Sequence, residues 1–201
     1  MSTSGGGDVN ALLYLVMLAC SVRAGAELLR DDVRRALRTP APGAVLLWLT
    51  VAVPSLLQIA FGGLLGQLQR DPDLIRQDGE WWRLVASGVV QDGGIFGTVF
   101  NLAVLALIAV LADRVWGTVR AASIFLVALV AFNLSATFAS PAVGAGNSAA
   151  TFGLATSMVG LALAARGERV VVLLAGLTTV DGIALLALGD AHGEVVVGGL
   201  L

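Results

Sequence analysis

"GAGNSAATFGLATSMVGLALAAR", residues 144–166, is the stretch that decides the fold. From Ser148 to Ala165 it carries no charge, and Arg166 closes it. That is close to the roughly 20 residues a helix needs to cross hydrocarbon. A helix on the surface of a soluble domain would set a charged face against an apolar stripe. Here small and apolar residues occur all round, so the surrounding solvent reads as lipid. The span opens on Ser148 among glycines and alanines. A serine in that place is either a helix cap or a nucleophile held inside the membrane.

Working outward, the whole chain agrees with a membrane reading. Its 201 residues are enough for one domain, 57% are hydrophobic and only 13% charged. A soluble domain of this size needs more polar surface. The net charge of −2 comes with no basic stripe interleaved with aromatics, which argues against a nucleic-acid partner. The single Cys20 excludes an intrachain disulfide or a paired-cysteine site, and the single His192 excludes a multi-histidine metal site within one chain. No metal and no cofactor is expected. Residues 9–22 are no convincing secretory leader, because the positive charge follows the apolar run.

Further spans are expected at 43–66, 94–112, 121–139 and 170–188, and a sixth begins near Ala191 and reaches only Leu201. At about 1.5 Å per residue that last piece covers half a bilayer. The expected fold is therefore an all-α polytopic bundle of about six transmembrane helices, the last one truncated. Arg23, Arg30, Arg34, Arg35 and Arg38 precede the 43–66 span, while Arg114 and Arg120, then Arg166 and Arg169, fill alternate loops. The positive-inside rule makes that side cytoplasmic in a multi-pass protein of the plasma membrane. Ser148 and His192 then both sit at outer ends.

Residues 1–42 are expected to form a tail and short helices, with the transmembrane domain over 43–201. "MSTSGGGD" reads as a flexible tail. For 9–22 two readings stand, an interfacial helix or an extra span with its N-terminus outside. Residues 25–38 read as amphipathic.

A serine hydroxyl needs a base to become a nucleophile, and histidine is the usual one. The parity of the spans puts Ser148 and His192 in one leaflet, where small residues at Ala149, Gly153 and Gly160 allow close backbone approach and Gly146 frees the turn before the serine. A helix N-terminus at Ser148 offers free N–H groups to an oxyanion. Asp181 and Asn133 are polar groups inside spans. They read as a structural or water-facing carboxylate and an interhelical hydrogen bond, although Asp181 could also orient His192. Gln91 and Asp92 read as solvated loop.

These motifs resemble the rhomboid family of intramembrane serine proteases. "GNSAATFGL" (146–154) is similar to GxSGxxFGL, and "DAHGEVVVGG" (190–199) to AHxxGxxxG. "GEWWRL" (79–84) resembles the first-loop Trp-Arg signature. "ADRVWGTVR" (112–120) is similar to LExxxGxxR, and Asn101 in "FNLAVL" resembles the second-span asparagine. The resemblance covers roughly residues 43–201, with the motifs in family order. It implies Ser148 as nucleophile, His192 as base, and Asn101 with the Ser148 N–H as oxyanion donors. Trp82 and Arg83 would shape the first loop, and Gly146 and Gly153 would pack near the serine. The substrates would be transmembrane segments of other proteins. It leaves oligomeric state unknown.

The chain departs from that pattern at three places. Ala149 follows the serine, Val195 stands three residues after the histidine where glycine is usual, and Gly97 replaces a second oxyanion residue. Two alternatives follow. A rhomboid-like protein could hold transmembrane clients with weak or no catalysis. A channel or transporter rests only on Asp181 and Asn133 and lacks the broken, repeated helices of that class.

Overall fold

The computed structural model describes residues 7–201. The tail expected at the N-terminus lies, for residues 1–6, outside the described residues. Six helices are long and apolar enough to cross a membrane. They are α1 (Asp8–Leu29), α3 (Pro42–Ala60), α7 (Gly94–Trp116), α8 (Thr118–Phe138), α9 (Ser148–Arg166) and α10 (Arg169–Ala187). The short α2 (Val33–Arg38) links α1 to α3, and α4 (Leu64–Leu68), α5 (Pro72–Gln77) and α6 (Arg83–Ala86) lie in the loop before α7. The seven-residue α11 (His192–Gly198) ends the order. No strand occurs among the described residues. The protein is a multi-pass helical membrane bundle.

Of the two readings for residues 9–22, the structure has a helix of spanning length. Residues 8–29 form one 22-residue helix that runs through Arg23, in place of separate short helices. Arg23 lies inside it, its guanidinium paired with Glu27 one turn on. Among the described residues the first of the six helices long enough to cross is α1, while the segment from His192 forms a short helix of seven residues. The span expected over 43–66 stops at Ala60, where Phe61 leaves helical geometry just before the Gly62–Gly63 pair.

Burial identifies the centre of the bundle. In α9, 61% of the most apolar window is buried, against 22–39% for the other five candidate spans. Small residues at Ala149, Ala150, Gly153, Ala155 and Ala162 let neighbours close on it from every side. A Cβ at Gly153 would lie 2.5 Å from the Ala128 side chain of α8. A Cβ at Gly199, just past α11, would lie 2.0 Å from Thr156 Oγ1. Val195 is buried, and a Cβ placed on Gly153 would lie 3.9 Å from the Val195 Cβ.

The arginine-rich segments gather at one end. Arg114 Nη2 donates to Thr39 O at 2.8 Å, so the α2–α3 and α7–α8 connections touch. The starts of α1, α7, α9 and α11 lie at the other end, and so does the site.

Candidate active site

Ser148 is the first residue of α9, and His192 is the first of α11. A tight turn after α10 passes through Gly189 at φ 78°, a region that favours glycine, and reverses the chain at the end of the bundle where α9 starts. His192 is thereby buried at 4% exposure, beside Ser148. The Ser148 Oγ lies 2.9 Å from His192 Nε2. The sequence-derived pair meets within hydrogen-bonding distance.

The tautomer follows from the other side of the ring. Asp190 Oδ1 lies 2.7 Å from His192 Nδ1 and accepts the His192 backbone N–H at 3.0 Å. An ionised carboxylate only accepts, so Nδ1 carries the proton and Nε2 is left to accept from the serine hydroxyl. Burial would push the Asp190 carboxyl up. The hydrogen bonds from His192 and the Tyr14 hydroxyl, with the charge of the imidazolium whenever the ring is protonated, outweigh that and hold it at about 2. The carboxylate at the histidine is thus Asp190 and not Asp181. Asp181 is buried in α10 with no hydrogen-bond partner on either oxygen among the described residues.

Asn101 lines the same cleft, of about 450 Å³, with Ser148 and His192. Its Nδ2 donates to Gln91 Oε1 at 2.8 Å. Gln91 was expected in solvated loop, yet it is 1% exposed. Its Nε2 donates to Ser55 Oγ at 3.1 Å and Asn147 Oδ1 at 2.8 Å. Its backbone is clasped by Gln58 through bonds of 2.7 and 2.8 Å. Gly146 adopts φ 144°, and a Cβ there would sit 3.4 Å from Gln91 Oε1, 3.8 Å from Ser148 Oγ and 3.9 Å from Asn101 Nδ2. The bare glycine keeps open the space between the hydroxyl and the amide. The first-turn N–H groups of α9 have no carbonyl of their own helix to bond and belong to the same end. Gly97 also lines the cleft and brings no donor.

Trp82 and Arg83 hold the loop between α3 and α7 together, away from the serine. The buried Arg83 pairs with Glu80, donates to Gln69 O at 2.8 Å, and stacks 4.7 Å from the Trp82 ring centroid. Arg70 drew no attention in the sequence, yet it is 2% exposed. It donates to Ala142 O at 2.9 Å and Asn133 Oδ1 at 2.5 Å, and its backbone pairs with Gly144. Asn133 Nδ2 in turn donates to Leu84 O at 2.7 Å. Its partners lie in the loop between α3 and α7 rather than on a neighbouring span. Burial lowers the Arg70 pKa to about 10 against the opposing pull of Asp92, so the group stays charged at neutral pH. Asp92 Oδ2 accepts from Ala145 N at 2.9 Å. These bonds fix the loop that delivers Ser148.

A family model described as the Rhomboid domain matches residues 78–193, more than half of the chain. The chain belongs to the rhomboid family. That family includes intramembrane serine proteases and inactive members, acting on transmembrane proteins within the membrane. No curated protein and no solved structure matches the chain. The rhomboid match begins after α3 and leaves α1 outside it. Asp190, Gln91 and Arg70 were missed because each reads as an ordinary loop polar residue until its burial is known. The one available signal was Asp190 standing two residues before the only histidine.

Proposed function

We propose that this rhomboid protein is an intramembrane serine endopeptidase that cuts transmembrane segments of other membrane proteins. The observation that carries the reading is the 2.9 Å contact of Ser148 Oγ with His192 Nε2, backed by Asp190 at Nδ1. In the first step Ser148 Oγ attacks the scissile carbonyl carbon while its proton passes to Nε2. The carbonyl oxygen becomes an oxyanion beside the Ser148 N–H and the Asn101 amide. The C–N bond then breaks, and the imidazolium returns the proton to the leaving amine. Water attacks the acyl-enzyme by the same route, giving the acid and restoring the serine.

Transmembrane helices shield their peptide bonds by their own hydrogen bonding, so the substrate must arrive unwound. The cleft supports lateral entry between α1 and α7. It is lined by Ala11 and Leu15 on one side and Phe96 and Phe100 on the other, and Phe96 is 85% exposed. The arginine-rich end is assigned to the cytoplasm of a plasma-membrane protein by the positive-inside rule. The test is cleavage of a transmembrane reporter by protein purified in detergent or liposomes. Wild type should cut, and Ser148→Ala should not. Equal cleavage by both sinks the proposal.

One observation favours a second reading, a rhomboid-like protein that holds transmembrane clients without cutting them. Gly97 brings no donor to the cleft, and Asn101 already spends an N–H on Gln91. That reading expects clients to co-purify with wild type and Ser148→Ala alike. It also expects no reaction of Ser148 with a fluorophosphonate, and robust labelling would remove it.

A further inference from the structure

The helix outside the family match reaches into the site. Asn10 and Tyr14 stand one turn apart on the same face of α1. Asn10 Nδ2 donates to Asp190 Oδ2 at 2.8 Å, and the Tyr14 hydroxyl makes a short hydrogen bond to the same oxygen. The other oxygen receives the Nδ1–H and the backbone N–H of His192. A carboxylate has about four acceptor positions, and here four donors engage it. It is left no freedom to rotate away from the imidazole. The Tyr14 ring also packs against Phe152 and His192, with centroids 5.0 and 5.5 Å away.

We infer that α1 is a working part of this site, in which Asn10 and Tyr14 are positioning residues that fix Asp190 and, through it and through the Tyr14 hydroxyl 3.3 Å from Nδ1, the orientation and tautomer of His192. The inference rests on the protease reading and adds to it a requirement for a helix lying outside the matched domain. Its physical basis is that serine–base geometry tolerates little error. A ring held by one free carboxylate would swing, and one held by a saturated carboxylate is preorganised. A purely architectural α1 would need apolar contacts with α9 and α10, which Met17 and Ala24 already provide.

The experiment is a double-mutant cycle on full-length protein in liposomes, using Tyr14→Phe, Asn10→Ala, Asp190→Asn and the Tyr14→Phe/Asp190→Asn pair. Reporter cleavage and the rate of Ser148 labelling by a fluorophosphonate are both measured. His192 is the only histidine, so its imidazole gives a single set of ¹⁵N and N–H resonances in protein labelled at that residue. Tyr14→Phe keeps the packed ring and loses only the donor. It should lower kcat about 10-fold, the scale of one charge-assisted hydrogen bond, with KM unchanged and the Nδ1–H resonance moved. In the Asp190→Asn background the loss should be several-fold smaller. Wild-type kcat with an unmoved resonance in both Tyr14→Phe and Asn10→Ala overturns the inference. So does an equal loss in the Asp190→Asn background. If Ser148→Ala is inactive while Tyr14→Phe is silent, this inference alone fails. If reporter cleavage does not depend on Ser148, the protease reading fails, and the His192 resonance decides the positioning claim by itself.

Discussion

Asp190 Oδ1 sits 2.7 Å from Nδ1 of His192, and both residues come from one short turn between α10 and α11. The carboxylate and the ring it orients are separated by a single residue, Ala191. The geometry of the pair is therefore set locally by the turn, and its stiffness by what holds the far oxygen.

Asp190→Asn should lower kcat by about 10- to 1000-fold, because an amide no longer enforces the Nδ1–H tautomer. The pH dependence has a definite sign. A carboxyl held at about 2 contributes its stabilisation above its unfolded value near 3.9 and loses it only as pH falls through 2. Wild-type protein should therefore keep Asp190 ionised throughout pH 4–8. A ¹³C carboxyl titration showing Asp190 taking up a proton in that window contradicts the assignment.

Asn101→Ala should reduce kcat about 100-fold with little change in KM, the usual scale for one oxyanion donor. Gln91→Leu should act in the same direction through a misplaced Asn101, and the double mutant should be no worse than Asn101→Ala. Gly146→Val should block Ser148 labelling, since its side chain would fill the space beside Ser148 Oγ. Steady-state kinetics and probe labelling check all three.

Arg70→Met should destabilise the protein by about 3 kcal/mol, because it strips a charged donor from Asn133 and Ala142 in a buried place. Arg70→Lys should recover only part, since an ammonium cannot reproduce the guanidinium fork. Thermal unfolding in detergent measures both, and a wild-type Tm for Arg70→Met contradicts the reading.

Gly199→Val should abolish activity, because its side chain would collide with Thr156 Oγ1 and the Gly153 carbonyl and force α11 off α9. Val195→Gly, which restores the residue usual in the family, should bring no gain. It should cost about 1–3 kcal/mol through lost burial. Higher turnover by Val195→Gly would show that this valine does strain the contact.

The lipid-facing character of the chain, five of its crossings and the meeting of Ser148 with His192 were legible from the residues alone. Long uncharged runs have one solution in hydrocarbon, and crossing parity fixes which ends share a leaflet. The same local signals failed at Arg23, which lies inside one continuous helix over Asp8–Leu29. Tertiary structure decided the rest. Asp190 rather than Asp181 meets the histidine, Gln91 turns inward to hold Asn101, and Asn10 and Tyr14 come from about 180 residues away to saturate one carboxylate. Hydropathy and spacing act along the chain, whereas a buried polar group takes its partners from whatever segment packs beside it. Those partners exist only once the bundle has closed around α9.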